Sequence, residues 1–218
     1  MNAQYPDGQS LALSRVKVSS PMIFIVDDDI SVRESVESLL RHEGFAVESF
    51  VSANSFLEHP MAQGPSCLLL DITLPGLTGL ELQKSLAVDR QAMPIIFLTG
   101  REDAPTIVQA MKAGAVEFLT KPFRDDALLD AIRDAIERSE VLVRRERRKA
   151  AIRERYGDLT RREREVLSLI TQGLLNREIG DELGISEITV KAHRGQVMRK
   201  MEAESLAELI HMVGDGEI

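Results

Sequence analysis

Five short apolar runs punctuate the first half of the chain: Met22–Val26, Ala46–Phe50, Cys67–Leu70, Pro94–Leu98 and Ala115–Leu119. Strands buried on both faces of a sheet read as such near-continuous runs. The stretches between them carry helical periodicity instead. Val32, Val36, Leu39 and Leu40 stand at i, i+4, i+7 and i+8 and form one apolar face. Ser31 and Glu34 have capping-box spacing, which predicts a helix starting there, and Gly44 ends it. Strands alternating with helices predict an α/β fold, a doubly wound parallel sheet with helices on both faces. Such sheets bind ligands just beyond the carboxyl ends of their strands.

Those ends carry polar residues. Asp27, Asp28 and Asp29 follow the first run, Asp71 the third and Thr99 the fourth, while Lys121 comes just after the fifth. Adjacent carboxylates at the end of a buried strand need neutralising. A hard divalent cation does this with oxygen ligands, and Mg2+ typically takes one or two carboxylates, waters and a phosphate. A carboxylate such as Asp71 is a competent nucleophile toward phosphorus and would give an aspartyl phosphate. The cation and the Lys121 ammonium would counter the charge on the transferring phosphoryl group.

Charge divides along the chain. The net charge is −8, but residues 1–143 carry −9, residues 144–201 carry +6 and the last 17 residues carry −5. This predicts an acidic domain joined to a basic one. Charge alone leaves two readings of the basic part, a nucleic-acid-binding domain or a solvated linker helix, because Arg144–Lys149 supplies five of the positive charges. No Pro or Gly interrupts residues 123–156, so the helix whose face is Leu128, Leu129, Ile132, Ala135 and Ile136 either continues toward Tyr156 or breaks near Ser139. Residues 1–21 read as a poorly ordered arm. The single cysteine, Cys67, excludes an internal disulfide and reads as a buried small hydrophobe. No apolar run approaches the ~18–20 residues that cross a bilayer, and Met1 to Pro21 lacks the charged-then-apolar order expected of a secretory signal. The expectation is a cytoplasmic protein without a membrane partner.

Residues 159–213 read as four short helices. Thr160 and Glu163 form a capping box, Asn176 is the expected cap of the second helix, and Gly184-Ile185-Ser186 makes a turn into the third. Two helices joined by such a turn are a helix-turn-helix signature. On a wheel of ~100° per residue, Val197 and Met201 each fall within about 20° of Val190. Lys191, Ala192, Gly195 and Arg199 lie roughly 100–200° away, a face able to enter a major groove. A solvated basic face has the same periodicity.

These residues match known families. Ile25-Val26-Asp27-Asp28-Asp29, Leu70-Asp71 with Leu74-Pro75-Gly76-Leu77-Thr78-Gly79, Leu98-Thr99-Gly100 and Lys121-Pro122-Phe123 resemble the receiver domain of two-component response regulators. Leu159 to Leu167, Asn176-Arg177-Glu178-Ile179 and Ile185 through Met201 resemble the LuxR-type helix-turn-helix domain. Together they resemble the NarL/FixJ architecture, in its FixJ-like branch. The resemblance implies a (βα)5 flavodoxin-like receiver at 22–138, a linker at 139–157 and a four-helix DNA-binding domain at 158–218.

It also implies roles. Asp71 would be the phosphoacceptor. Mg2+ (or Mn2+) would be held by Asp28, Asp71 and the backbone carbonyl of Thr73, with Asp27 acting through a water. Lys121 would contact the phosphoryl group, Thr99 would be the switch hydroxyl and Phe118 the coupled aromatic, in place of the commoner Tyr. Lys121-Pro122 would be cis. Thr189, Lys191, Ala192, Gly195 and Arg199 would approach DNA, although some members carry a long basic side chain where Gly195 stands. Gly180 replaces the commoner Ala, which predicts a looser second helix. His193, Glu163 and Gly173 read as fold residues. The implied partners are a cognate sensor histidine kinase, double-stranded DNA and, on phosphorylation, a second copy of the chain.

Aspartate-nucleophile phosphatases of the haloacid dehalogenase class carry a second Asp where this chain has Thr73, and no Gly-x-x-x-x-Gly-Lys loop is present. The expectation is a regulator, not an enzyme. A rival reading is a receiver-based interaction module with a vestigial helix-turn-helix.

Overall fold

The computed structural model describes residues 21–60, 62, 64–89, 93–100 and 104–214, so the predicted arm, apart from Pro21, lies outside the described residues. The chain divides into two compact units, Met1–Val143 and Arg144–Ile218.

The first unit alternates strand and helix: β1 Met22–Val26, α1 Ile30–His42, β2 Ala46–Phe50, α2 Ala53–Leu57, β3 Ser66–Asp71, α3 Gly79–Asp89, β4 Ile95–Thr99, α4 Ala104–Lys112, β5 Glu117–Thr120 and α5 Asp125–Gly157. All pairings are parallel, in the order β2-β1-β3-β4-β5. Alternate strand residues feed two apolar layers. Ile23, Ile25, Leu69 and Ile96 pack with Val36 and Leu40 of α1 and with Leu128, Ile132 and Ala135 of α5. Phe24, Leu68, Leu70 and Phe97 pack with Phe56, Leu82, Leu86 and Ala110 on the other side. Every residue of β3 and β4 is buried, as the apolar runs require.

Local chemistry sets the boundaries. The N-cap of α1 is Asp29, not the expected Ser31: its extended backbone lets the carboxylate accept from Ser31 N at 2.8 Å. That carboxylate reaches the second helical N–H, which an Asp at this position does well. β5 begins two residues later than its apolar run, because Ala115 N closes the end of α4 on Ala110 O at 3.1 Å. Ser139 does not break α5. Its buried hydroxyl accepts from Ser66 N at 3.0 Å, tying α5 to the start of β3. Burial pushes the Cys67 thiol far above its ordinary range, as suits a core residue.

The second unit contains the end of α5 and the helices α6 Arg161–Thr171, α7 Asn176–Leu183, α8 Glu187–Met201 and α9 Leu206–Gly214. Its core is Ile152, Val166, Leu167, Ile170, Ile179, Val190, Val197, Met201, Leu209 and Met212, with Leu159. The Thr160–Glu163 capping box is fully formed. Buried Glu163 also accepts from Lys200 Nζ at 2.7 Å, fixing α6 to the end of α8. Asn176 does not cap α7. It is the first helical residue, and its Oδ1 accepts from Arg194 of α8 at 2.9 Å, while Glu178 accepts from Leu175 N. Gly180 also departs from expectation. A Cβ there would stand 2.8 Å from Ile185 O, so the glycine lets the turn close on α7.

Among the described residues, no helix is long and apolar enough to cross a membrane.

Candidate functional site

The order of strands brings the ends of β1 and β3 side by side, with the segment after β5 nearby. Asp27 is fully buried, Asp71 is buried and Asp28 is exposed, and one carboxylate oxygen from each lies within 4.8 Å of the others. Lys121 Nζ donates to Asp27 Oδ2 at 2.5 Å and to Asp71 Oδ2 at 2.8 Å. Thr73 N donates to Asp71 Oδ1 at 2.9 Å, and Asp29 N donates to Asp27 Oδ1 at 3.0 Å. The Asp71 carboxylate is therefore held at both oxygens.

Burial pushes the Asp27 carboxyl above its usual range, with Asp71 adding to the effect, although hydrogen bonds from Lys121 and Asp29 oppose it. For Lys121, burial works against the charge, but the hydrogen bonds and charges of Asp27 and Asp71 outweigh it and raise its pKa. The lysine therefore stays cationic at neutral pH. Three carboxylates against one ammonium leave the site net negative. An oxygen-only donor set of this charge fits a hard divalent cation such as Mg2+. A cleft of about 540 Å3, lined in part by Asp29, Ser31, Val32, Lys121 and Asp125, reaches the lysine from one side.

The peptide bond before Pro122 is cis. Thr99 is buried at the end of β4, in register with Thr120 of β5. Phe118 is half-buried against the layer containing Phe97. Gly79 contributes in a way the spacing did not foretell. A Cβ on it would lie 2.3 Å from the Asp71 carbonyl oxygen, so only glycine lets α3 start against the strand bearing Asp71. Its position directly after Thr78, whose hydroxyl accepts from Glu81 N, was the available signal.

In the second unit, Ser186 caps α8 by accepting from Thr189 N at 3.2 Å, and the Ser186 and Thr189 hydroxyls are 2.8 Å apart. Val190, Val197 and Met201 are buried, while Lys191, Ala192, Gly195 and Arg199 are exposed and Thr189 is half-buried. Lys191 makes an exposed i,i+4 pair with Glu187 at 3.3 Å.

Sequence comparison agrees with both halves. The response regulator receiver domain profile matches residues 23–133, and that of bacterial regulatory proteins of the luxR family matches residues 158–213. The chain belongs to the NarL/FixJ family of response regulators. Nodulation protein W of Bradyrhizobium diazoefficiens is 48% identical over 191 residues, covering 88% of this chain and 84% of that protein. Transcriptional regulatory protein FixJ of Azorhizobium caulinodans is 42% identical over 190 residues, covering 87% and 90%. Among solved structures, response regulator StyR superposes with a TM-score of 0.78 at 45% identity, covering 90% of this chain and all 100% of that one. Full-length FixJ from B. japonicum gives a TM-score of 0.54 at 38% identity, covering 90% and 96%. This response regulator therefore pairs a receiver with a DNA-binding domain that regulates transcription, a reading these matches support over a vestigial helix-turn-helix.

Proposed function

We propose that Asp71 accepts a phosphoryl group from a cognate sensor histidine kinase and that phosphorylation regulates binding of double-stranded DNA by α8. The observation that carries this is the convergence of the Asp27, Asp28 and Asp71 carboxylates at adjoining strand ends, with Lys121 bonded to Asp27 and Asp71. In the transfer, an Asp71 carboxylate oxygen forms a bond to phosphorus as the phosphorus–nitrogen bond to the kinase histidine breaks. The imidazole leaves with the electron pair and takes up a proton. Lys121 is close enough to Asp71 to counter the charge of the arriving phosphoryl oxygens.

Asp28, Asp71 and the Thr73 carbonyl would hold Mg2+ or Mn2+, with Asp27 acting through a water. Bound there, the cation supplies charge neutralisation to the transferring group. Thr99 and Phe118 would relay occupancy to the receiver surface and favour a homodimer. Thr189, Lys191, Ala192, Gly195 and Arg199 would face the DNA. The reading makes this a cytoplasmic regulator without substrate turnover.

Phosphoryl transfer is tested with acetyl phosphate and Mg2+ on wild type and Asp71→Asn. One acid-stable, base-labile phosphoryl group per wild-type chain is expected, and none in the variant. A base-labile group persisting in Asp71→Asn would assign the acceptor elsewhere.

A further inference from the structure

The outward face of α8 holds a residue that neither the core nor the helix requires. Ile188 is 80% exposed, the most exposed of the large hydrophobic side chains among the described residues. It is absent from the apolar cluster of its unit. As a β-branched residue it also gains little as a helix former. On the wheel it stands about 160° from Val190, in the middle of the arc occupied by Lys191, Ala192, Gly195 and Arg199.

Its neighbours make that side chain a projection. Ala192, one turn on, offers only a methyl group. At Gly195 a Cβ would meet nothing within 4 Å, and its backbone carries no positive φ, so among the described residues neither packing nor conformation calls for glycine there. Lys191 lies beside Ile188 and pairs with Glu187. The outward surface of the first two turns is thus an isoleucine standing above small residues, with a cation at its edge.

An aliphatic group on the first turn of a major-groove helix has one partner of matching chemistry on the base edges, the C5-methyl group of thymine. The N-terminal residues of a recognition helix are also the ones that reach base edges. We infer that Ile188 is a specificity-determining residue that packs on a thymine methyl in each half-site. The inference rests on the proposed docking of α8 in the major groove. The low surface at Ala192 and Gly195 lets the duplex approach closely enough for this contact, and the Lys191 side supplies attraction to the polyanion.

The test uses the full chain with acetyl phosphate and Mg2+, on a duplex it selects from a random library. Each thymine of that duplex is replaced in turn by uracil, which removes only the methyl group. One position per half-site should weaken wild-type binding roughly three- to five-fold, the scale of one buried methyl. Ile188→Ala should bind the thymine duplex that much more weakly and be indifferent to uracil at that position. It should fold normally, because the side chain it removes is exposed. Equal uracil effects in wild type and Ile188→Ala, or no uracil effect in either, would overturn the assignment. Wild-type DNA affinity in Ile188→Ala, with loss of a protein contact instead, would overturn it in favour of a protein-binding role. If Ile188→Asp and Lys191→Ala both leave DNA affinity unchanged, it is the docking of α8 that fails.

Discussion

The two candidate functional surfaces of this response regulator are built on opposite plans. At the receiver site, charged groups are buried and tied down: Asp27 is 0% exposed, Asp71 7%, and one lysine bridges them. On α8 the groups proposed to face DNA are exposed, apart from half-buried Thr189, and lightly bonded, and two of them, Ala192 and Gly195, have almost no side chain at all. The proposed chemistry at phosphorus needs charges fixed in advance, and burial at strand ends fixes those of Asp27 and Asp71. Reading DNA needs a surface another molecule can approach, and the proposed docking of α8 would use the helix face that the fold leaves uncommitted. Burial couples a site to stability, whereas an exposed face is free to vary.

Glycine tests that contrast most sharply. Gly79→Ala forces a Cβ onto the Asp71 carbonyl, so the receiver should lose about 3 kcal/mol or more, with phosphoryl labelling impaired as well. Gly195→Ala meets open space and should stabilise α8 by about 0.5–1 kcal/mol while weakening DNA binding. Denaturant titration of the full chain, followed with probes in each unit, measures both. Similar stability changes at the two glycines would erase the distinction.

Metal gives the next largest effect. Because the acidic site is net negative, Mg2+ at a hundred times its dissociation constant should stabilise the receiver by about 2.7 kcal/mol. The Asp28→Ala variant should lose most of that gain in a thermal melt. No Mg2+-dependent shift in wild type would refute the ligand assignment.

A smaller effect belongs to Glu163, the one buried acid of the second unit among the described residues. Glu163 lies below its ordinary pKa of 4.5: burial pushes it up, but hydrogen bonds from Lys200 and from the Thr160 backbone and hydroxyl outweigh this. A lowered folded pKa gives stability that is complete above the unfolded value and is lost as pH falls through the folded one. Glu163→Ala should cost about 1–2 kcal/mol at neutral pH. Glu163→Gln should retain the capping geometry but flatten the acid limb of the stability profile of this unit. An unchanged acid limb would mean that the Lys200 contact contributes nothing.

Much of this was legible in the chain because it was anomalous there. Carboxylates ending apolar strands announce a neutralising partner, and Thr160 three residues before Glu163 announces a helix start. What stayed hidden depended on contacts between segments. Gly79 is needed because α3 begins against the carbonyl of Asp71, which no periodicity encodes. Asn176 and Gly180 depart from the sequence expectation for the same reason, since their partners, Arg194 and Ile185, lie on the next helix and in the turn. Asp29 and Ser31 competed for one cap, and the backbone angle at Asp29 decided it. Ile188 stands opposite the core on the wheel, and its 80% exposure shows that no neighbouring segment among the described residues covers it.

Filling the buried site is proposed to change what the exposed face does. This is tested most directly by measuring affinity for a selected duplex at fixed salt, with and without acetyl phosphate and Mg2+, in wild type and Asp71→Asn. Coupling of ordinary size between two sites, about 1–3 kcal/mol, predicts that phosphorylation tightens wild-type binding by roughly 5- to 150-fold. The Asp71→Asn protein should bind with the unphosphorylated affinity under both conditions. Equal affinity of phosphorylated and unphosphorylated wild type, or the same tightening in Asp71→Asn, would contradict the account.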